Sequence, residues 1–177
     1  MRKLITGLAI SLDGFIEGPN GEYDWCFTDQ DYGMTEFLKG IDAIFYGRKT
    51  WEMMKSYTPP EGAPAENPWN DKKNYVFSNH YEKGGDDFEL ITGDVVKEVQ
   101  RLKALPGKNI WMFGGASLND SLMKAGLIDE IGLAVHPILL GKGKPFFSDY
   151  GKRIKLSLTD CKTYSSGLVY LTYSINS

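Results

Sequence analysis

The sequence predicts an α/β chain: a mixed, mostly parallel sheet with helices on both faces and an antiparallel C-terminal hairpin. Strand-like and helix-like segments alternate along most of the chain, the pattern of a sheet crossed by helices. The alternation stops at the end, where Ile154 to Ser165 and Leu168 to Ile175 are both strand-like and flank the turn pair Ser166-Gly167. The length of 177 residues, 42% hydrophobic and 24% charged, suits a single domain spanning 1–177.

The elements follow in order. Lys3 to Ile10 reads as a buried first strand. Ser11 to Trp25 reads as a loop turned by Gly14, Gly18 and Gly21. Asp29 to Lys39 predicts a short helix with Met34, Phe37 and Leu38 on one side. Ala43 to Tyr46 is a strand that runs into Gly47 and a helix over Thr50 to Lys55. Ser56 to Trp69 holds four of the eight prolines and predicts a surface loop. Asn74 to Ser78 and Phe88 to Ile91 are strands. Asp94 to Leu105 is amphipathic, with Val95, Val96, Val99, Leu102 and Leu105 apolar and Lys97, Glu98, Arg101 and Lys103 outside. Asn109 to Phe113 is a strand ending at Gly114-Gly115, and Ser117 to Ala125 a helix closed by Gly126. Ile128 to Leu139 is a long strand, and Gly141 to Gly151 a loop before the hairpin.

Composition narrows the function classes. A net charge of −3 argues against a general nucleic-acid binder, which carries a basic face. No apolar run approaches the ~20 residues of a membrane span. The basic Met1-Arg2-Lys3 leads into a short strand rather than a secretory leader. Cys26 and Cys161, the only cysteines, predict reduced packing thiols and a cytoplasmic protein. No metal site is expected.

Two strand-to-helix junctions have the chemistry of anion sites. Gly47-Arg48-Lys49-Thr50 joins a backbone open to close approach with two cations and a hydroxyl at a helix start. Gly114-Gly115-Ala116-Ser117-Leu118 puts adjacent glycines before another helix. Each alone is also what an ordinary tight βα turn looks like. Two in one small sheet suit a dinucleotide, which has separated phosphates.

The ordered set of motifs resembles the dihydrofolate-reductase superfamily: Gly47 to Glu52, Val76-Phe77-Ser78 and Phe113 to Ala116. Ser11 to Ile16, Gly126 to Glu130 and Pro137 to Gly143 are similar to its riboflavin-biosynthesis reductase C-terminal-domain branch. The resemblance covers nearly the whole chain. It implies a dihydrofolate-reductase-like fold and an NADPH-dependent reductase acting on a pyrimidine- or pterin-type small molecule. By branch analogy the activity is 5-amino-6-(5-phosphoribosylamino)uracil reduction. Dihydrofolate reduction, or NADP(H) binding without catalysis, are the alternatives.

The resemblance also implies residue roles. Ala9 and Ile10 would flank the nicotinamide, under a mobile loop holding Ile16 and Gly18. Gly47, Arg48, Lys49 and Thr50 would hold phosphates. Ser78 and Asn79 would meet the adenosine 2′-phosphate, and Gly114 to Leu118 would cover the pyrophosphate. Asp31, with Asp29 as alternative, falls where folate reducers carry their carboxylate. Asp13 is read either as a proton relay or as a residue that bonds its own loop. His136 and His80 read as structural and loop residues. The chain lacks Cys-x-x-Cys, so the zinc deaminase of bifunctional relatives is absent from it. It has Asp24-Trp25 in place of the Pro-Trp pair of folate reductases. The branch further implies a homodimer, for which the apolar stretch Ile131 to Leu140 offers an interface if it is not simply a central strand.

Overall fold

The computed structural model describes residues 1–56 and 71–176. The expected proline-rich loop, apart from Ser56, falls outside them.

The strands form one eight-stranded sheet. They are β1 (Leu4–Ser11), β3 (Ile41–Gly47), β4 (Lys73–Phe77), β5 (Glu89–Ile91), β6 (Asn109–Gly114), β7 (Glu130–His136), β9 (Leu156–Thr163) and β10 (Val169–Ile175). Their order is β5-β4-β3-β6-β1-β7-β10-β9. Pairing is parallel from β5 through β7, and β10 is antiparallel to both β7 and β9. The expected mixed sheet and antiparallel hairpin are therefore present.

Side-chain alternation sorts the helices onto two faces. Ile5, Ile44, Tyr46 and Trp111 point to the face covered by α1 (Met34–Lys39) and α2 (Arg48–Ser56), which bury Leu38 and Trp51. Leu4, Phe45, Ile110 and Met112 point to the other face, under α3 (Val95–Ala104) and α4 (Ala116–Lys124). A buried bond from Thr6 Oγ1 to Asn119 Oδ1 at 2.7 Å ties α4 to β1. Gly126, at φ 68°, ends α4: Gly126 N donates to Met123 O and Leu127 N to Leu122 O, the paired bonds of a glycine-terminated helix.

Several expectations change. The Ser11 to Trp25 loop contains a strand, β2 (Phe15–Glu17), which pairs with β8 (Lys144–Pro145) from the expected 141–151 loop. Ile16 thus sits in a paired ribbon and packs against the α3/α4 core. The helix expected from Asp29 begins only at Met34, because Tyr32 and Gly33 both have left-handed backbones (φ 49° and 82°). β7 stops at His136, and β9 begins at Leu156. Lys103 is buried rather than outward. Cys161 is exposed on β9 rather than packed.

The burial of Lys103 has a clear cause. Its ammonium donates to Leu127 O at 2.7 Å and to Asp129 Oδ2 at 2.5 Å, and Asp129 Oδ2 also accepts Leu4 N at 2.7 Å. At the same end of the sheet buried Arg2 pairs with Asp42, which accepts Lys108 N at 2.8 Å. These two clusters staple the edge where the parallel strands begin. Removing Asp129 leaves the buried Lys103 ammonium uncompensated, whereas removing Lys103 leaves its charge-partner Asp129, whose side chain is 39% exposed and can be hydrated. Asp129→Ala is therefore expected to cost about 3 kcal/mol, and Lys103→Met to stay within about 1 kcal/mol of wild type. Urea unfolding midpoints at constant slope check both.

Candidate active site

The site grows from one irregularity at the middle of the sheet. The β1–β6 ladder runs only from Leu4↔Ile110 to Thr6↔Met112, while β1 stays paired with β7 as far as Ser11↔His136. Beyond Thr6, β1 has no strand on its β6 side among the described residues. Gly7, Leu8 and Ala9 are half-exposed in a central strand for that reason. The approach of β1 to β7 requires glycine at position 7: a Cβ there would lie 2.3 Å from Gly132 O.

Two helix starts meet beside this gap. β3 and β6 are adjacent, their chains leave to opposite faces, and such a switch point forms a ligand crevice at the carboxyl ends of the strands. Gly47 packs on the Gly114–Gly115 peptide, which is cis; a Cβ at Gly47 would be 3.1 Å from Gly115 N. A Cβ at Gly115 would be 3.0 Å from Thr50 Oγ1, and one at Gly114 3.2 Å from Thr50 Cγ2. The sequence-predicted Gly47, Thr50, Gly114 and Gly115 are thus one contiguous surface, with Ala116, Ser117 and Leu118 as the first turn of α4 behind it.

The helix ends differ in a telling way. α3 has its own cap, Asp94 accepting from Lys97 N, and Glu98 in the first turn. α1 has Asp31, which accepts Thr35 N and Gly33 N, and Glu36. α2 and α4 carry no acid in the first turn, and Gly115 supplies no side-chain cap. Free N–H groups and the positive dipole ends of α2 and α4 are left for an anion.

Arg48 and Lys49 stand on the α2 turn. Both Glu52 oxygens accept from Arg48 Nη1 at 2.9 Å, and Tyr81 donates to Glu52 at 3.0 Å. The Arg48 contact, then the Tyr81 bond, holds the Glu52 carboxyl below its ordinary range. Gly47 registers with Phe77, so Ser78 and Asn79 leave the neighbouring strand at the same edge as Arg48. Ser78 Oγ accepts His80 N at 3.0 Å, and Asn79 Oδ1 accepts Gly93 N at 3.3 Å. Ala9 and Ile10 lie on the open stretch of β1, Ile10 with its side chain in the α3/α4 core. Gly18 follows the β2–β8 ribbon and accepts Gly21 N at 3.1 Å.

The two carboxylates are not brought to the cradle. Asp13 is filled with donors: Ser11 Oγ at 2.6 Å, Gly141 N at 2.8 Å and Leu140 N at 3.2 Å. It ties the β1–β2 turn to the segment after β7. Asp31 caps α1 at the exposed surface, also taking Thr35 Oγ1 at 2.6 Å, and Asp29 accepts Tyr32 Oη at 2.7 Å. The Ser11 hydroxyl holds Asp13, and the Thr35 hydroxyl holds Asp31, below the ordinary carboxylate range.

Residues not foreseen in the site gather around His136. Its Nε2 accepts Phe27 N at 3.0 Å and its Nδ1 lies 2.9 Å from Ala134 O, so both nitrogens are used by the backbone. Trp25 and Phe27 pack on the ring with centroids 5.3 and 4.9 Å away. No local pattern pairs Phe27 with a histidine 109 residues on. Burial, then Asp24, pushes the nearby Cys26 thiol up to about 11, which leaves it a poor nucleophile.

A carboxyl with a depressed pKa contributes stability above its unfolded value and loses it as pH falls through the folded one. The Asp13 attachment should therefore persist at neutral pH and release only below roughly pH 4. The Gly141 amide shift, followed by NMR against pH, reads this directly, and a midpoint between about 5 and 7 would make Asp13 a working acid instead.

Comparison with known proteins agrees with this geometry. The model of the RibD C-terminal domain family matches residues 2–170. Bacillus subtilis (strain 168) YyaP, itself uncharacterized, is 44% identical over 99% of this chain and 96% of its own length. YwjB of the same strain, also uncharacterized, is 33% identical over 94% of this chain and 95% of its own. Among solved structures, a Shewanella sp. PV-4 protein whose name proposes a role in riboflavin biosynthesis aligns at TM-score 0.82, 26% identity and 99% of each chain. A Thermotoga maritima diaminohydroxyphosphoribosylaminopyrimidine deaminase/5-amino-6-(5-phosphoribosylamino)uracil reductase aligns at 0.71 and 16% identity, over 99% of this chain and 57% of that one. Enterococcus faecalis dihydrofolate reductase complexed with NADP(H) aligns at 0.67 and 16% identity, over 99% and 97%. The sheet order, the mid-sheet gap and the match across nearly all of its length agree: this chain belongs to the RibD C-terminal domain family and has the dihydrofolate-reductase-like fold.

Proposed function

We propose that the chain is an NADPH-dependent reductase that delivers hydride to a pyrimidine- or pterin-type ring. The observation that carries this is the partly exposed stretch of β1 beside two helix starts that hold no acid in their first turn. The residues fit the cofactor: Gly47, Gly114 and Gly115 keep open a surface that Cβ atoms would fill against Thr50 and each other. When bound, NADPH supplies the hydride. Thr50 and the N–H groups opening α2 and α4 hold the pyrophosphate. Arg48 and Lys49, with Ser78 and Asn79 at the end of the paired neighbouring strand, would receive the 2′-phosphate. The backbone of Ala9 and Ile10 orients the nicotinamide.

Proton delivery falls to water. Asp13 and Asp31 are ionised by their hydrogen bonds and spend them on the backbone, so each shapes its loop. Dihydrofolate reduction and cofactor binding without turnover are the rival readings. NADPH oxidation against a pterin and pyrimidine panel separates them, and binding with no turnover anywhere favours the second.

NADPH should bind more tightly than NADH. A charge-assisted hydrogen bond is worth roughly 1.5–3 kcal/mol, so Arg48→Ala should weaken NADPH binding by about 10- to 100-fold and leave NADH nearly unchanged. Calorimetry checks this, and equal wild-type affinities would sink the cofactor assignment.

We also propose a homodimer, but not through Ile131 to Leu140. β7 is interior, between β1 and β10, with Ile131, Leu133 and His136 buried. Only the end of that stretch beyond β7 is open, with Leu139 69% exposed; a broader apolar surface is the α3/α4-side face of the hairpin, where Val169, Leu171 and Tyr173 register with Thr163, Cys161 and Leu158. Leu158 is 55% exposed. The strand residues of that face carry no charge, and two such faces stack as sheet on sheet about a two-fold axis. Light scattering should give a dimer, and Leu158→Glu a monomer. A wild-type monomer at all concentrations overturns it.

A further inference from the structure

The reductase reading leaves the substrate's chemical class open, and the α1/α2 side of the gap bears on it. Along the open stretch of that face β1 and β7 present small residues, Gly7 and Ala9 beside Gly132 and Ala134. Ala9 and Ala134 are half-exposed, so the floor is open. Aromatic rings stand around it. His136, on the same face of β7, carries Trp25 and Phe27, and the Tyr170 hydroxyl lies over Gly132. Toward β6, Phe37 packs edge-on to Trp111, whose Nε1 reaches Gly7 O at 3.5 Å. A flat floor with aromatic walls fits a planar ring.

The charge around this recess is predominantly negative. Between Lys3 and Lys39 the chain has no Lys, Arg or His, yet it carries Asp13, Glu17, Glu22, Asp24, Asp29, Asp31 and Glu36. The Phe27–His136 bond and the Asp31 cap hold the 22–31 segment at the carboxyl edge of β7 and the start of α1. Glu17 is paired with Lys144 and Glu36 with Lys39. Glu22, Asp24, Asp29 and Asp31 are in no ion pair among the described residues. The other cations on this side are Lys142, next to the Gly141 that bonds Asp13, and Lys162, which pairs with Asp160. Residues 57–70 contain no basic residue that could add to them. Arg48 and Lys49 stand on the far side of the gap, at the α2 start.

We infer that the substrate recess takes a planar ring that is neutral or cationic, and disfavours a phosphorylated one. This rests on the reductase reading above and parts from the phosphoribosyl substrate in the name of the Thermotoga relative. A phosphate dianion entering the mouth meets four carboxylates in no ion pair, against Lys142 as the one cation on this side in none among the described residues. The same field steers a neutral or cationic ring inward without opposing the cofactor phosphates, which enter by the α2 and α4 starts.

The test is a matched pair of probes, 5-amino-6-(5-phosphoribosylamino)uracil and the same compound after phosphatase treatment, with NADPH saturating. The dephosphorylated probe should show a kcat/KM at least about 10-fold higher at ~20 mM salt, and the gap should narrow toward ~500 mM salt as rim charges are screened. The double variant Asp24→Lys/Asp29→Lys should close or invert the preference while NADPH affinity, measured separately by calorimetry, stays unchanged. Equal or better use of the phosphorylated probe overturns the inference and leaves the reductase reading intact. No turnover of either probe with NADPH bound removes the reductase reading for this ring class, and this inference with it.

Discussion

Everything at the site depends on β1 leaving β6 after three paired residues while staying with β7 to its end. In a parallel sheet an interior strand normally spends its backbone groups on both neighbours. Here one side of β1 from Gly7 onward is given up, and the gap is kept open from both directions. Gly7 lets β1 press against Gly132, and the Thr6–Asn119 bond holds α4 over the point of parting. Backbone groups left without a strand at mid-sheet are the natural partners for a carboxamide, which needs both a donor and an acceptor in one plane.

The two edges of the sheet have opposite duties. At the edge where the parallel strands begin, every charge that is buried is also paired: Arg2 with Asp42, Lys103 with Asp129. These clusters bind β1, β3, β6 and the entry to β7 to one another, so the strands start in fixed positions. At the carboxyl edge the chain instead spends glycines and open helix ends. A site built on strand ends that are locked at their far end holds its geometry better than one built on free loops.

Periodicity made most of the fold legible. The interior strands are near-continuous apolar runs and α3 shows a clear apolar stripe, so their existence and succession along the chain follow from the residues alone. What was not legible depends on partners distant in the chain. β2 and β8 are three and two residues long, too short for any pattern, and exist because they pair with each other. Lys103 reads as a solvated helix residue until Asp129 is brought beneath it. Of the site, the two glycine junctions were visible as local chemistry, but their contact through Thr50 is a property of strand order. The aromatic wall on His136 had no local signal at all. Asp13 shows the reverse limit: a carboxylate beside a glycine looks the same whether it moves a proton or anchors a turn, and only its donors at Leu140 and Gly141 separate the two.

The electrostatics of the cradle also set how its charges work. Part of its attraction for anions comes from backbone dipoles, which a neighbouring side chain does not neutralise outright. Arg48 is different, because Glu52 already takes both of its near bonds and is itself steadied by Tyr81. A phosphate arriving at Arg48 must share the guanidinium with that carboxylate or displace it. The fork of five donors allows sharing, since Glu52 draws on Nη1 alone and leaves the remaining N–H groups free to turn outward. Glu52 then acts as a splint: it holds a long, entropically costly side chain at the mouth of the site before the ligand arrives. The splint also takes back part of the positive charge that the ligand would feel. The balance favours a group with enough charge of its own to outbid a carboxylate; under the proposed cofactor assignment, that is how a single ion pair on the α2 turn would separate a 2′-phosphate from a ribose hydroxyl.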